Sequence, residues 1–281
     1  QYSIYQGTPG STWSTASNTN TVVNYWSNLG YIPSTPAYLN NWSGSASGIN
    51  TAINSGAFMV LHRDHGMYTG WGEPNYTNSD LSGLDNENLT FVISGNCQTG
   101  CFDYSGSNGN CFVEAFHRQP KRALGLIGAT EVSYSFVNDT YVWGVMDNMW
   151  SNFDPGYGTT NNYDDIRPCF ANASGKYYLE ASGWPSNPNN KEITFNLFHH
   201  HGGSYSTVYS SMPIALTVEH ENTIPCGATS FTVKADNHSL ICLSVDGNII
   251  GVAEGTGSPV AIDIIPQNSG DFIELTITCL L

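Results

Sequence analysis

Ala57-Phe58-Met59-Val60-Leu61-His62-Arg63-Asp64-His65-Gly66 begins as an apolar run and ends as a polar turn. Upstream of it Ile49, Ala52 and Ile53 fall at helical spacing and Gly56 stops the pattern, so a short helix is predicted to lead into a buried strand. The unit recurs. Leu89-Thr90-Phe91-Val92-Ile93 is a second run, continuing into Ser94-Gly95-Asn96-Cys97, and Ala123-Leu124-Gly125-Leu126-Ile127-Gly128 is a third. A helical stretch from Cys111 to Arg118, with Phe112, Ala115 and Phe116 on one face, separates the last two. After the third run, Val142, Val145, Met146 and Met149 predict a helix within Phe136 to Trp150. Continuous apolar strands alternating with helices imply an α/β fold, a mostly parallel sheet covered by helices on both faces.

Around this centre the pattern weakens and then changes. Residues 1–47 are rich in Ser, Thr, Asn, Gly and Pro and read as a covering segment, with Val22-Val23-Asn24-Tyr25-Trp26 the exception. After about residue 211, Ile214 to His220, Ser230 to Ala235, Leu240 to Val245, Asn248 to Ala253, Val260 to Ile265 and Phe272 to Cys279 read as short strands. Asp246-Gly247 marks a hairpin between two of them. Strands at this spacing without helices predict an all-β sandwich, giving two domains, 1–211 and 212–281. Three apolar runs make a narrow sheet in the first domain. Its exposed edge would need a cover, for which self-association with a second copy is one candidate.

Composition limits the partners. A net charge of −15 with eight basic residues excludes a nucleic-acid or anionic-membrane partner, because so few cations cannot neutralise a phosphate backbone. No apolar run is long enough for a membrane span. Low charge, abundant polar loops and the processed look of Gln1 suit a secreted protein, extracellular or at the cell surface. Seven cysteines leave at least one thiol unpaired. Cys101 and Cys111 flank a loop that a disulfide could close, and Cys226 with Cys279 could tie the ends of the second domain. Cys169 and Cys242 stay ambiguous.

If the first two strands are neighbours, His65 and Cys97 emerge at the same sheet edge, where such folds place their chemistry. A thiol needs a nearby base or cation to ionise at neutral pH, and a His on the adjacent loop supplies one. Gly66 lets backbone approach a peptide closely, so the N–H groups of Gly66 and Cys97 could form an oxyanion hole. Trp71 and Phe136 could line a substrate-binding groove.

The segment Phe58 to Glu73, with His65-Gly66-Met67-Tyr68-Thr69-Gly70-Trp71-Gly72-Glu73, resembles the His-Gly motif of the gingipain-like cysteine peptidases of family C25. Phe91 to Glu114, with Cys97-Gln98-Thr99-Gly100, resembles their nucleophile strand, and Leu124 to Met149 and Met212 to Val218 resemble the segments that follow. The resemblance implies a caspase-like sheet, His65 as general base or imidazolium partner, Cys97 as nucleophile and Gly66 as an oxyanion donor. It also implies an immunoglobulin-like C-terminal sandwich and a protein or peptide substrate. No cofactor is needed for catalysis, although structural calcium occurs in such enzymes. The family's catalytic domain begins upstream, with the acidic group near the His and much of the specificity pocket on strands expected to precede this chain. The resemblance thus implies an N-terminal fragment of the same precursor as the other candidate to cover the exposed sheet edge.

Other constellations are weaker. His199-His200-His201 suggests zinc, but consecutive strand residues face opposite ways and cannot all reach one ion. Glu73, Asp80, Asp147, Asp164 and Asp165 could supply calcium oxygens, without an Asp-x-Asp-x-Asp-Gly loop to organise them. Cys101 follows Cys97 closely but stands beyond the strand end. Two functions result: a cysteine endopeptidase working through a thioester acyl-enzyme, or a catalytically idle structural or adhesive subunit that keeps the fold.

Overall fold

The structure, a computed structural model, describes residues 2–5, 26–28, 44–106, 109–150, 152–153, 166–182, 187–209 and 215–279, with the main chain alone at 2–5, 135–136 and 279. The chain divides into two compact units, Gln1–Ser210 and Ser211–Leu281. In the first, helix α1 (Ala46–Asn54) is capped by Ser45, whose hydroxyl accepts the Gly48 N–H at 3.2 Å. Gly56, at φ 94°, turns the chain into strand β2 (Met59–Arg63). The other main strands are β1 (Tyr2–Tyr5), β6 (Thr90–Ser94), β7 (Ala123–Ala129) and β8 (Phe198–Gly202). Between β2 and β6 the short strands β3 (Gly66–Met67), β4 (Gly70–Trp71) and β5 (Tyr76–Thr77) form a small antiparallel sheet.

The main sheet runs β1-β2-β6-β7-β8, parallel through the first four strands and antiparallel at β8. Alternate residues of each apolar run face opposite layers. Met59, Leu61, Phe91, Ile93 and Ile127 join one core with helices α3 (Ser135–Met149) and α4 (Pro168–Ala181). Val60, Val92 and Leu126 join the other with α1 and helix α2 (Phe112–His117). Being buried on both faces is why these strands read as continuous apolar runs. Helix α3 is buried on nearly every side and crosses α4 at Gly144 and Gly175. A Cβ at Gly144 would lie 2.3 Å from that of Tyr178, so neither helix could approach so closely with a larger residue there. Helix α5 (Pro188–Leu197) leads directly into β8.

Two strands correct the expected narrow sheet. Tyr2–Tyr5, inside the supposed covering segment, pairs with β2, and the triple-histidine strand pairs with β7. Both lack an apolar run because they lie at the sheet margins. The side of β2 that three runs alone would leave open is therefore occupied by β1 of the same chain. His199, His200 and His201 oppose Gly128, Ile127 and Leu126, and the His200 ring stacks on Phe91 at 5.8 Å. Among the described residues no group of three or more His, Cys, Asp or Glu side chains converges. Asp80 instead accepts the Thr77 N–H and hydroxyl at 2.8 and 2.9 Å, while Asp164 and Asp165 lie outside the described residues. No described helix is long and apolar enough to cross a membrane.

The second unit contains two three-stranded antiparallel sheets. One is ordered β13 (Pro259–Asp263), β10 (Ser230–Ala235), β9 (Val218–His220); the other is β12 (Asn248–Glu254), β11 (Ser239–Val245), β14 (Glu274–Cys279). Phe231, Val233 and Ala235 of β10 share one apolar cluster with Ile241 and Leu243 of β11, as period-two alternation requires. Asp246 and Gly247 both have positive φ, 51° and 77°, which matches the tight turn joining β11 to β12.

Candidate active site

Because β2, β6 and β7 are parallel neighbours, their carboxyl ends bring three loops to one edge. The first carries Asp64, His65 and Gly66, the second Gly95, Asn96 and Cys97, the third Glu131, Val132 and Ser133. Gly66 packs directly on the Cys97 peptide: a Cβ there would lie 2.3 Å from the Cys97 carbonyl oxygen and 2.4 Å from Asn96 Oδ1. Only glycine allows that approach. His65 is exposed, and its carbonyl accepts the Gly72 N–H at 2.9 Å, which ties its loop to the small sheet. His65 and Cys97 are not hydrogen-bonded to each other.

The floor under the Cys97 loop is a closed polar network. Asn96 donates from Nδ2 to His62 Nδ1 at 2.6 Å, and its Oδ1 accepts from Thr99 and Ser94 at 2.9 and 3.1 Å. His62 Nε2 in turn donates to the Glu73 carbonyl at 3.1 Å, which fixes a neutral tautomer. Burial holds His62 down to about 3, against the raising effect of that carbonyl. Asp64 moves the other way: burial pushes its carboxyl up to about 6 despite the His65 N–H and the charge of His65.

A buried ion pair locks the strand ends. Arg63 donates through Nε to Asp139 Oδ1 at 3.0 Å and through a terminal nitrogen to the Gly95 carbonyl, with both charged side chains at most 1% exposed. It joins β2, the Cys97 loop and helix α3. The third loop reaches the sulfur itself. The Ser133 N–H donates to Cys97 Sγ at 3.4 Å, Sγ donates to the Ser133 carbonyl at 3.5 Å, and the Ser133 hydroxyl lies 3.7 Å from Sγ.

Several expectations change here. Trp71 does not line a groove. It is fully buried, stacked on His62 at 4.3 Å and donating to Ser94 Oγ at 2.8 Å, because the β3–β5 sheet folds it beneath the loops. Phe136 lies in α3, and its side chain is outside the described residues. Cys101 and Cys111 are both free thiols, so the expected bridge is absent. Cys101 donates to Asp103 Oδ1 at 3.0 Å, while Cys111 forms the N-cap of α2 with Glu114 closing the capping box. Burial, reinforced by Asp103, pushes the Cys101 thiol up to about 12, and burial pushes Cys111 up to about 11. Cys226 is free and exposed, so no bridge joins it to Cys279; Cys169 and Cys242 are free as well.

Sequence reading missed Ser133, Asn96 and the Arg63–Asp139 pair. The available signal was topological: Thr130 to Ser133 continue the third apolar run past the same sheet edge as Cys97.

Comparison with known proteins agrees with this architecture. The sequence model of Peptidase family C25 matches residues 7–197. Lys-gingipain HG66 of Porphyromonas gingivalis is 25% identical over 228 residues, covering 76% of this chain and 13% of the relative; Lys-gingipain W83 of the same organism is 26% identical over the same share. The chain thus spans only a small part of the length of these relatives. Among solved structures, the Arg-specific cysteine proteinase gingipain R superposes with a TM-score of 0.79 at 20% identity, over 98% of this chain and 63% of that one. The complex of Porphyromonas gingivalis RgpB pro- and mature domains gives 0.75 at 20% identity, over 98% and 64%.

Proposed function

Since this chain belongs to peptidase family C25, we propose that it is a cysteine endopeptidase in which Cys97 is the nucleophile and His65 its acid–base partner. The observation that carries this reading is the contact of Gly66 with the Cys97 peptide, which holds the His65 turn against the Cys97 loop at the carboxyl edge of the sheet. The exposed His65 stands on the turn that packs against the Cys97 loop, and catalytic hydrogen bonds often tighten only with substrate bound. Cys97 Sγ gives its proton to His65 and attacks the scissile carbonyl carbon. The tetrahedral oxyanion sits against the N–H groups of Gly66 and Cys97. The imidazolium protonates the departing amine, and water, deprotonated by His65, then cleaves the thioester to release the acid and restore the thiol. The chemistry needs no cofactor.

The wider reading is of a secreted enzyme whose C-terminal unit is an immunoglobulin-like sandwich. The solved complex of pro- and mature domains of a fold relative supports, as its binding partner, an N-terminal fragment of its own precursor.

The test is cleavage of a peptide library by the wild type and by Cys97→Ala and His65→Ala. Cys97→Ala should remove turnover by at least ~10³-fold while the fold persists. Retained turnover would end the reading. A second reading, an idle structural subunit, is favoured by the lack of a hydrogen bond between His65 and Cys97. It predicts no cleavage by the wild type with any peptide and a Cys97 that is unreactive towards alkylation or oxidised.

A further inference from the structure

We infer that Ser133 is a further catalytic residue, one that holds the Cys97 proton in the resting site and takes up the charge on sulfur when that proton leaves. The inference rests on the Cys97 reading above but is carried by separate geometry. Three atoms of one residue surround the sulfur: the carbonyl at 3.5 Å, the N–H at 3.4 Å and the hydroxyl at 3.7 Å. As a thiol, Cys97 donates to the carbonyl. As a thiolate it has nothing to donate and can only accept, which leaves the N–H and hydroxyl as its partners.

The hydroxyl is arranged to make that change. Asn138 Nδ2 donates to Ser133 Oγ at 2.7 Å, so the serine hydrogen must point elsewhere. Its shorter acceptor is the Asn96 carbonyl at 3.0 Å, and Cys97 Sγ is its other acceptor. One hydrogen cannot serve both. With a neutral thiol the carbonyl is the better acceptor; with an anionic sulfur the charged acceptor competes, and a short rotation moves the hydrogen across. The proton that leaves Sγ passes to a His65 ring nitrogen, so the hydroxyl only redirects its hydrogen and loses nothing. Ser133 is 7% exposed and Asn138 2%, which keeps water from replacing either donor. Asn138 also belongs to an Asn-x-Thr sequon, but its amide is committed to this contact inside the folded protein.

The experiment follows iodoacetamide alkylation of the full chain from pH 5 to 10, resolved at Cys97 by peptide mass mapping, with circular dichroism as the fold control. Ser133→Ala keeps the main-chain N–H but removes the hydroxyl. It is expected to move the alkylation midpoint upward by about one pH unit and to slow alkylation near pH 7 by up to ~10-fold. Ser133→Thr should restore most of the wild-type profile. Asn138→Ala, which leaves the hydroxyl but frees its rotor, should move the midpoint in the same direction by less. It also serves if Ser133→Ala fails to fold. An unmoved midpoint in a folded variant of either residue overturns the inference. Peptide cleavage retained by Cys97→Ala would overturn the dyad instead, and the alkylation profiles would still report on Ser133.

Discussion

Cys97 and Cys101 are four residues apart on one loop, yet their surroundings are opposite. Cys97 is half-buried and meets an N–H and a hydroxyl from Ser133. Cys101 is buried and meets the Asp103 carboxylate. Donors favour an anionic sulfur, whereas a carboxylate repels one and keeps its proton in place. The difference teaches that sequence proximity to a strand end is not what makes a cysteine reactive. What matters is which neighbouring loop reaches the sulfur. The comparison breaks most directly if Cys101→Ala lowers peptide cleavage as far as Cys97→Ala does. The expected outcome is a loss of at least ~10³-fold for Cys97 and a change within about threefold for Cys101, read from kcat/KM.

The next largest effect concerns what lies beneath each thiol. The Cys97 end of the loop rests on the buried Arg63–Asp139 pair through the Gly95 carbonyl, and no buried ion pair supports the Cys101 end among the described residues. Removing one member leaves a buried charge without its partner, which costs about 3–5 kcal/mol. Asp139→Leu alone should therefore lower the urea midpoint sharply. The double variant Arg63→Met with Asp139→Leu should recover most of the loss. If the single variant is as stable as the wild type, the pair does not hold the strand ends.

Much of this arrangement was legible in the sequence, and the reasons divide cleanly. Strands β2, β6 and β7 announce themselves because burial on both faces demands unbroken apolar runs. His65, Gly66 and Cys97 follow from where those runs stop. Strands β1 and β8 carry no such demand at the sheet margins, so Tyr2–Tyr5 and the histidine strand stayed hidden. Trp71 misled because an aromatic residue beside a catalytic motif has the same letter whether it faces a groove or the core. Ser133, Asn138 and Asp139 reach the site only through the turn from β7 into α3, a contact across more than thirty positions that no local pattern encodes. The expected Cys101–Cys111 bridge failed for a related reason. Loop length permits closure, but the side-chain directions, set by Asp103 and the α2 cap, do not favour it.

A smaller effect separates the two sides of His65 by pH. The folded state holds a proton on Asp64 up to about pH 6, whereas an unfolded aspartate releases it near 3.8. Between those values the folded state binds more protons, so this group costs stability as the pH rises through the window. Asp64→Asn should then stabilise the protein at pH 7 by about 1 kcal/mol, after allowance for solvent screening of a half-buried group, with no gain below pH 3.8. His62 acts oppositely. Its imidazole stays neutral down to about pH 3 against 6.5 when free, so stability present above 6.5 is lost as the pH falls towards 3. Urea unfolding of wild type and Asp64→Asn at pH 7 and pH 3.5 separates the two groups, and an equal difference at both values would reject the assignment to Asp64.

The smallest effect lies in the residue that follows Cys97, the proposed nucleophile. Gln98 adopts φ 58°, a left-handed conformation that costs a side chain other than glycine about 1 kcal/mol. It is held there from both ends: the Gln98 N–H donates to the Glu131 carbonyl at 3.1 Å, and the Thr99 N–H donates to the Cys97 carbonyl at 2.7 Å. No comparable value occurs at Cys101, so the strain is confined to the Cys97 half of the loop. Gln98→Gly would relieve the left-handed cost but add a similar conformational entropy to the unfolded chain. The two nearly cancel, and the expected change in stability is within about 0.5 kcal/mol. Activity is the more telling readout. Because the two hydrogen bonds are made by main-chain atoms that glycine retains, the Cys97 sulfur should keep its place against Ser133, and kcat/KM should stay within about threefold of wild type. A loss of tenfold or more without unfolding would mean that the Gln98 side chain, and not the turn alone, orients the nucleophile.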